Sequence, residues 1–185
     1  MSSRTCDDEI ANRRYYGSKI QGIVMFTVDG IRKLHSWTHA SLDILFDHLA
    51  ALSESDYTME LPGFGYASTH AQLIHLLGCE ARWVRRLENQ PTGDWNPAQW
   101  PSLVDARTLQ REVAGQTLDY LAALTDQLLN TGTPLHFPDG DTAVRTPALI
   151  LHHVFTHAFH HKGQVVAMCR ILGHPAPDTD LNQFE

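Results

Sequence analysis

Apolar residues recur along this chain in four helix-like stretches, separated by polar, proline- and glycine-rich segments. In the first, over residues 30–53, Leu42, Leu45, Phe46, Leu49 and Leu52 follow one another at intervals of three or four, the spacing that gathers side chains on one helix face. Pro62, Gly63 and Gly65 end it, and Ser68 offers an N-cap for a second helix over 69–89. The segment QPTGDWNPAQWPS then reads as a loop of defined shape, rich in proline and tryptophan. A third helix is predicted over 102–130 from Leu109, Val113, Leu121, Leu124 and Leu128, with Gly115 a weak point costing about 1 kcal/mol against alanine. TGTPLHFPDGDTAVRTP carries the turn signal PDGD and predicts a short hairpin-like excursion. The fourth helix begins near Pro147, a favoured first-turn residue, and stops by Leu172, before Gly173 and Pro175. The pattern predicts an all-α protein: an antiparallel four-helix bundle over 26–185, preceded by a short N-terminal extension over 1–25.

Composition narrows the partners. The formal net charge is −7, and basic residues cluster no further than pairs such as Arg13-Arg14 and Arg85-Arg86. Phosphate-backbone binding needs more clustered positive charge, so nucleic acid is not an expected partner. No apolar run approaches the ~18 residues of a membrane span. The start MSSRTCDDEIANRRYYGSK lacks a signal-peptide pattern, and the three cysteines, Cys6, Cys79 and Cys169, are widely spaced and form no CxxC motif. A cytoplasmic protein without a disulfide framework is the expectation.

The chemistry concentrates in LHHVFTHAFHHKGQ, residues 151–164. At 100° per residue, His153, His157, His160, His161 and Gln164 share an arc about 100° wide beside the apolar face of Ile150, Val154, Val165 and Leu172, whereas His152 falls off it. Buried imidazoles need partners, and a metal ion supplies one. Histidines at i and i+4 can share an ion, so spacing permits either His153/His157 or His157/His161. A further ligand must come from another helix. His75, inside the apolar run LIHLLG, is the leading candidate, with His70 and Cys79 weaker. His39 either overhangs the mouth of such a site or faces solvent, and His48 reads as a bundle-edge residue. Arg82, on the face of His75 two turns on, reads as an anchor for a carboxylate or as one half of an interhelical salt bridge. Glu80 lies about 140° round the helix from His75 and is not expected to face the same ion. Trp83, Trp95 and Trp100 are expected to pack the loop between helices two and three, with a wall of a substrate pocket as the lesser alternative. Phe155, Phe159 and Val166 fall opposite the histidine face, which predicts cover by a partner subunit in a homodimer or by the extension.

HVFTHAFHHKGQ followed by MCRILGHPAPDTDL resembles the fourth-helix signature of the DinB-like (damage-inducible) proteins, H-x-x-x-H-x-x-H-H-[RK]-G-Q with a P-x-x-D-L tail. STHAQLIHLLGCEARWVRRL resembles the second helix of that family, and KLHSWTHASLDILFDHLAAL the start of its first, although His39 stands where the family often has asparagine. The resemblance implies a bundle that binds one divalent metal ion, with zinc and nickel the first candidates, through His75, His157 and His161. It leaves His153, His160, Gln164, His39 and Arg82 as pocket residues able to orient the ligands or a bound molecule. Family members of known activity include S-transferases that use low-molecular-weight thiols, so the resemblance further implies a small-molecule thiol and an electrophile as partners. A metal-dependent hydrolase and a non-catalytic metal-binding stress protein are the alternatives.

Overall fold

The computed structural model describes residues 26–184. The predicted extension over 1–25 lies outside the described residues. Among these, six α-helices and one two-stranded hairpin occur: α1 Val28–Leu49, α2 Glu54–Thr58, α3 Thr69–Leu87, α4 Leu103–Ala122, α5 Asp126–Leu129, β1 Thr133–His136, β2 Thr142–Arg145 and α6 Pro147–Ile171. Short 3-10 turns cover Pro97–Gln99 and Leu181–Gln183. The fold is thus predominantly helical, and the expectation of a strict four-helix bundle is corrected by two short helices and the hairpin.

Local chemistry sets these boundaries. The side chains of Thr27, Ser68, Ser102 and Thr146 each accept a backbone N–H in the first turn of the helix they precede, and Ser102 with Asp105 closes a reciprocal capping box. The predicted third helix breaks after Ala122, because Thr125 caps a new helix instead of extending the old one. The break resets the phase. Leu129 enters the core, and Leu128, predicted to share the apolar stripe, is turned to solvent. The hairpin pairs Thr133 with Arg145 and His136 with Thr142, and Gly140 supplies the left-handed φ of 90° that its turn requires.

Contacts between the long helices fix their directions. Arg107 bonds Asp47 while Arg32 bonds the Leu121 carbonyl, so α1 and α4 run antiparallel. Gln72 meets Gln164 and Trp83 meets His153, so α3 and α6 are antiparallel too. His35 packs on Phe155 and Lys162 reaches Ser41, which makes α1 and α6 parallel. It follows that α3 and α4 run the same way, and the expected antiparallel succession is corrected to up-down-down-up. The 88–102 segment is the long crossover this requires. It returns along α3, with Trp95 lying over Gly78 and the Trp100 carbonyl accepting from His70. Trp95 and Trp100 stack at 5.2 Å within it. Trp83, expected to join them, is instead buried in the bundle against Phe137 and His153.

The core has two apolar halves. One gathers Ile31, Trp83, Val84, Leu121, Leu151 and Phe155; the other gathers Leu42, Phe46, Leu73, Leu77, Leu109 and Val165. In sequence, each long helix crosses from one half to the other through polar residues: His35, Thr38 and His39 on α1, Glu80 on α3, Thr117 on α4, and His157 and His161 on α6. Phe155, predicted to face outward, is 1% exposed because α1 covers it, so it gives no support to a partner subunit.

The tail is fastened from α6. Lys162 donates to Ser41 Oγ at 2.8 Å and to the Thr179 carbonyl at 2.7 Å, with its ammonium 4.3 Å above the Phe159 ring. Burial lowers the Lys162 pKa, with Asp180 and Asp178 acting in the opposite direction.

Candidate metal centre

His75 on α3 and His157 and His161 on α6 converge on one point. The Nε2 atom of His157 lies 3.2 Å from that of His75 and 3.1 Å from that of His161. A cation held about 2.0–2.1 Å from each nitrogen sets neighbouring ligands about 2.9–3.3 Å apart, from octahedral to tetrahedral angles. The histidines therefore form a cluster able to coordinate a divalent metal ion.

Gln72, one turn before His75, explains how His161 is presented. Its Nε2 donates to the Tyr66 carbonyl at 2.8 Å and to Gln164 Oε1 at 2.7 Å. A backbone carbonyl can only accept, which fixes the orientation of the Gln72 amide. Gln72 Oε1 must then accept from His161 Nδ1, at 2.5 Å. With its proton on Nδ1, a neutral His161 has a bare Nε2 lone pair facing the centre. Gln164 continues the chain by donating to His160 Nε2 at 2.7 Å. His157 Nδ1 is buried and has no hydrogen-bond partner among the described residues. Bare imidazole nitrogens this close repel one another unless a cation or proton lies between them, which is the condition a metal ion meets.

Tyr66 packs its ring on His75, with centroids 3.8 Å apart and an angle of 22°, and meets the edge of His161 at 5.8 Å. His153 touches the rings of His157 and Trp83, while exposed His160 sits against His161. Arg82 lines a cavity of about 270 Å³ together with His75, Tyr66 and Trp95. Neither Gln72 nor Tyr66 stands out in the sequence. A glutamine on the His75 face of an apolar helix was a usable signal for the first, whereas the loop position of Tyr66 gave none.

His39 lies elsewhere, which corrects its expected place at this pocket. It joins His35 and Glu80 in a second group whose possible ligand atoms also lie within 4.8 Å of one another. Glu80 receives His35 Nε2 at 3.2 Å, His39 Nε2 at 3.2 Å and the Thr117 hydroxyl at 2.6 Å. Burial alone raises a carboxyl pKa, yet His39 and His35 outweigh it and hold Glu80 well below the usual carboxylate range. Burial likewise pushes His39 down, but the Glu80 charge and hydrogen bond, aided by Asp43, carry it above its ordinary value. These three side chains form a second cluster able to coordinate a divalent metal ion, and its carboxylate favours the protonated form of His39.

The chain belongs to the DinB family, whose model matches residues 25–185. A comparison with curated proteins finds no match. No helix among the described residues is long and apolar enough to cross a membrane.

Proposed function

We propose that His75, His157 and His161 hold one divalent metal ion and that the protein is a metal-dependent thiol S-transferase. The observation that carries this reading is the convergence of three imidazole nitrogens, with the tautomer of His161 set by Gln72 and no carboxylate among them. A divalent cation on three neutral ligands keeps positions open for an exogenous molecule and lowers the pKa of a coordinated thiol, so that a thiolate is available to an electrophile at neutral pH.

The chain's own residues divide the remaining work. Gln72 holds the His161 proton on Nδ1, Tyr66 keeps the His75 ring in its plane, and His153 backs His157. Cys79 and Cys169 are buried, and burial pushes the Cys169 thiol up to about 11, so neither is placed to act as the nucleophile. A small-molecule thiol would supply it, and a reducing cytoplasm is the compartment that suits it. The hydrolase alternative cannot draw its general base from Glu80, which is committed to His35 and His39.

Elemental analysis and a turnover screen of cofactor thiols against a model electrophile test the reading. Metal-dependent consumption of both reactants, abolished in His157→Ala, is the expected result. Full metal occupancy without effect of any thiol on spectrum or turnover would leave a metal-binding protein and remove the transferase.

A further inference from the structure

Arg82 is a half-buried guanidinium on the wall of the cavity that opens beside His75. It makes no hydrogen bond or ion pair with any described residue. Asp94 lines the same cavity but forms no ion pair with it. A guanidinium withdrawn from water gains from a bound anion, and its planar fork matches a carboxylate.

The backbone keeps this group in place. A Cβ added at Gly78 would lie 3.2 Å from Arg82 Nη1 and 3.0 Å from Trp95 Cε3, so both side chains lie close over the bare helix backbone. The crossover segment thus closes the cavity with an indole, and Tyr66 closes it near His75. Arg82 follows His75 by seven residues, about 10 Å along the helix axis. A ligand that reaches from the histidine centre to Arg82 has several bonds between its two ends and an apolar middle facing Trp95.

Resting on the metal-site reading above, we propose that Arg82 makes this a site for small molecules with a metal-binding head at one end and a carboxylate at the other. The sequence left Arg82 open between a carboxylate anchor and an interhelical salt bridge. Among the described residues no partner on a neighbouring helix pairs with it, which argues against the second.

Cobalt-loaded protein provides the test, because its visible spectrum reports ligands entering the metal. Two matched pairs serve as probes: 6-mercaptohexanoate against 6-mercaptohexanol, and adipic acid monohydroxamate against hexanohydroxamate. In the wild type the carboxylate member of a pair should bind about tenfold tighter or more, as charge-assisted hydrogen bonds allow. Arg82→Met should erase that preference while leaving cobalt content and the affinity of the neutral members unchanged. Equal binding within the pairs, or a preference that survives in Arg82→Met, would overturn the proposal. The failures are separable. If hydroxamates show the Arg82-dependent preference and no thiol binds, the carboxylate site stands and thiol chemistry falls. If thiols bind without preference, the reverse holds, and if neither pair binds, both fall.

Discussion

Two histidine groups occupy the interior of this bundle, and they solve the problem of a buried imidazole in different ways. His35 and His39 stand at i and i+4 on α1, as His157 and His161 do on α6, and α3 completes both groups. The α1 pair receives a carboxylate, Glu80, and the α6 pair receives a third imidazole, His75. The carboxylate accepts from both rings and raises the His39 pKa, while His39 Nδ1 has no hydrogen-bond partner among the described residues. In the all-imidazole group, Gln72 directs the His161 proton outward and leaves a lone pair pointing in. The residue type that α3 contributes, together with what lies behind each ring, separates a mixed histidine–carboxylate cluster from an all-imidazole one.

The sharpest break in that comparison comes from removing one member of each group. His157→Ala should reduce metal content from near stoichiometric to background and abolish any metal-dependent turnover, since His157 is the ring both neighbours approach. Glu80→Ala should leave the metal content of the folded protein intact. It should instead destabilise the fold by about 3–5 kcal/mol, the cost of leaving a buried charge uncompensated, measured by urea unfolding of protein that is still folded at the start. Metal loss in Glu80→Ala under native conditions would erase the distinction.

Much of this was legible in the chain. Apolar periodicity located all four long helices, and cap residues such as Ser68 and Pro147 located two of their starts. The one-face placement of His157 and His161 is a property of helix geometry alone. Tertiary direction was not legible. Nothing in QPTGDWNPAQWPS announces that it runs back along α3, because its docking depends on Gly78 presenting bare backbone to Trp95. His39 was misplaced for a related reason. Its partner, Glu80, lies 41 residues away on another helix, and the 140° offset of Glu80 from His75 does not say which residue of α1 that carboxylate meets. The phase slip at Thr125 likewise turned Leu128 outward through a cap that competes with helix continuation.

A smaller effect should follow from loosening the chain of amides behind His161. Gln72→Leu removes the acceptor that holds its proton on Nδ1 while keeping a side chain of similar size. Metal affinity should fall by roughly 10–100-fold, as for other hydrogen-bond partners of ligating histidines, with the three ligands still present. Competition with a chelator of known affinity measures it. An unchanged affinity would mean that the ring is held by packing against Tyr66 alone. The matching change on the other side, Thr117→Val, removes the 2.6 Å hydroxyl bond to Glu80 and should lower stability by about 1.5–3 kcal/mol without touching metal affinity.

The subtlest difference between the groups is in their response to pH. His39 has a raised pKa in the folded chain, so its contribution to stability is complete below about 6.5, the unfolded value, and is lost as pH rises through the folded value. Glu80 has a lowered one, so its contribution is present above about 4.5 and is lost only as pH falls towards the folded value. The pair therefore stabilises the fold most between those limits. His35, Asp43 and Thr117 are the other polar groups that bear on it. The measurement is a difference that isolates this residue: chelator-treated wild type against chelator-treated His39→Asn, unfolded in urea at intervals from pH 6 to 9. The wild type should lose its advantage over the variant as pH rises, with a slope no steeper than about 1.4 kcal/mol per pH unit, the limit for one proton. A difference that stays flat across this range would mean that His39 is neutral in the folded chain.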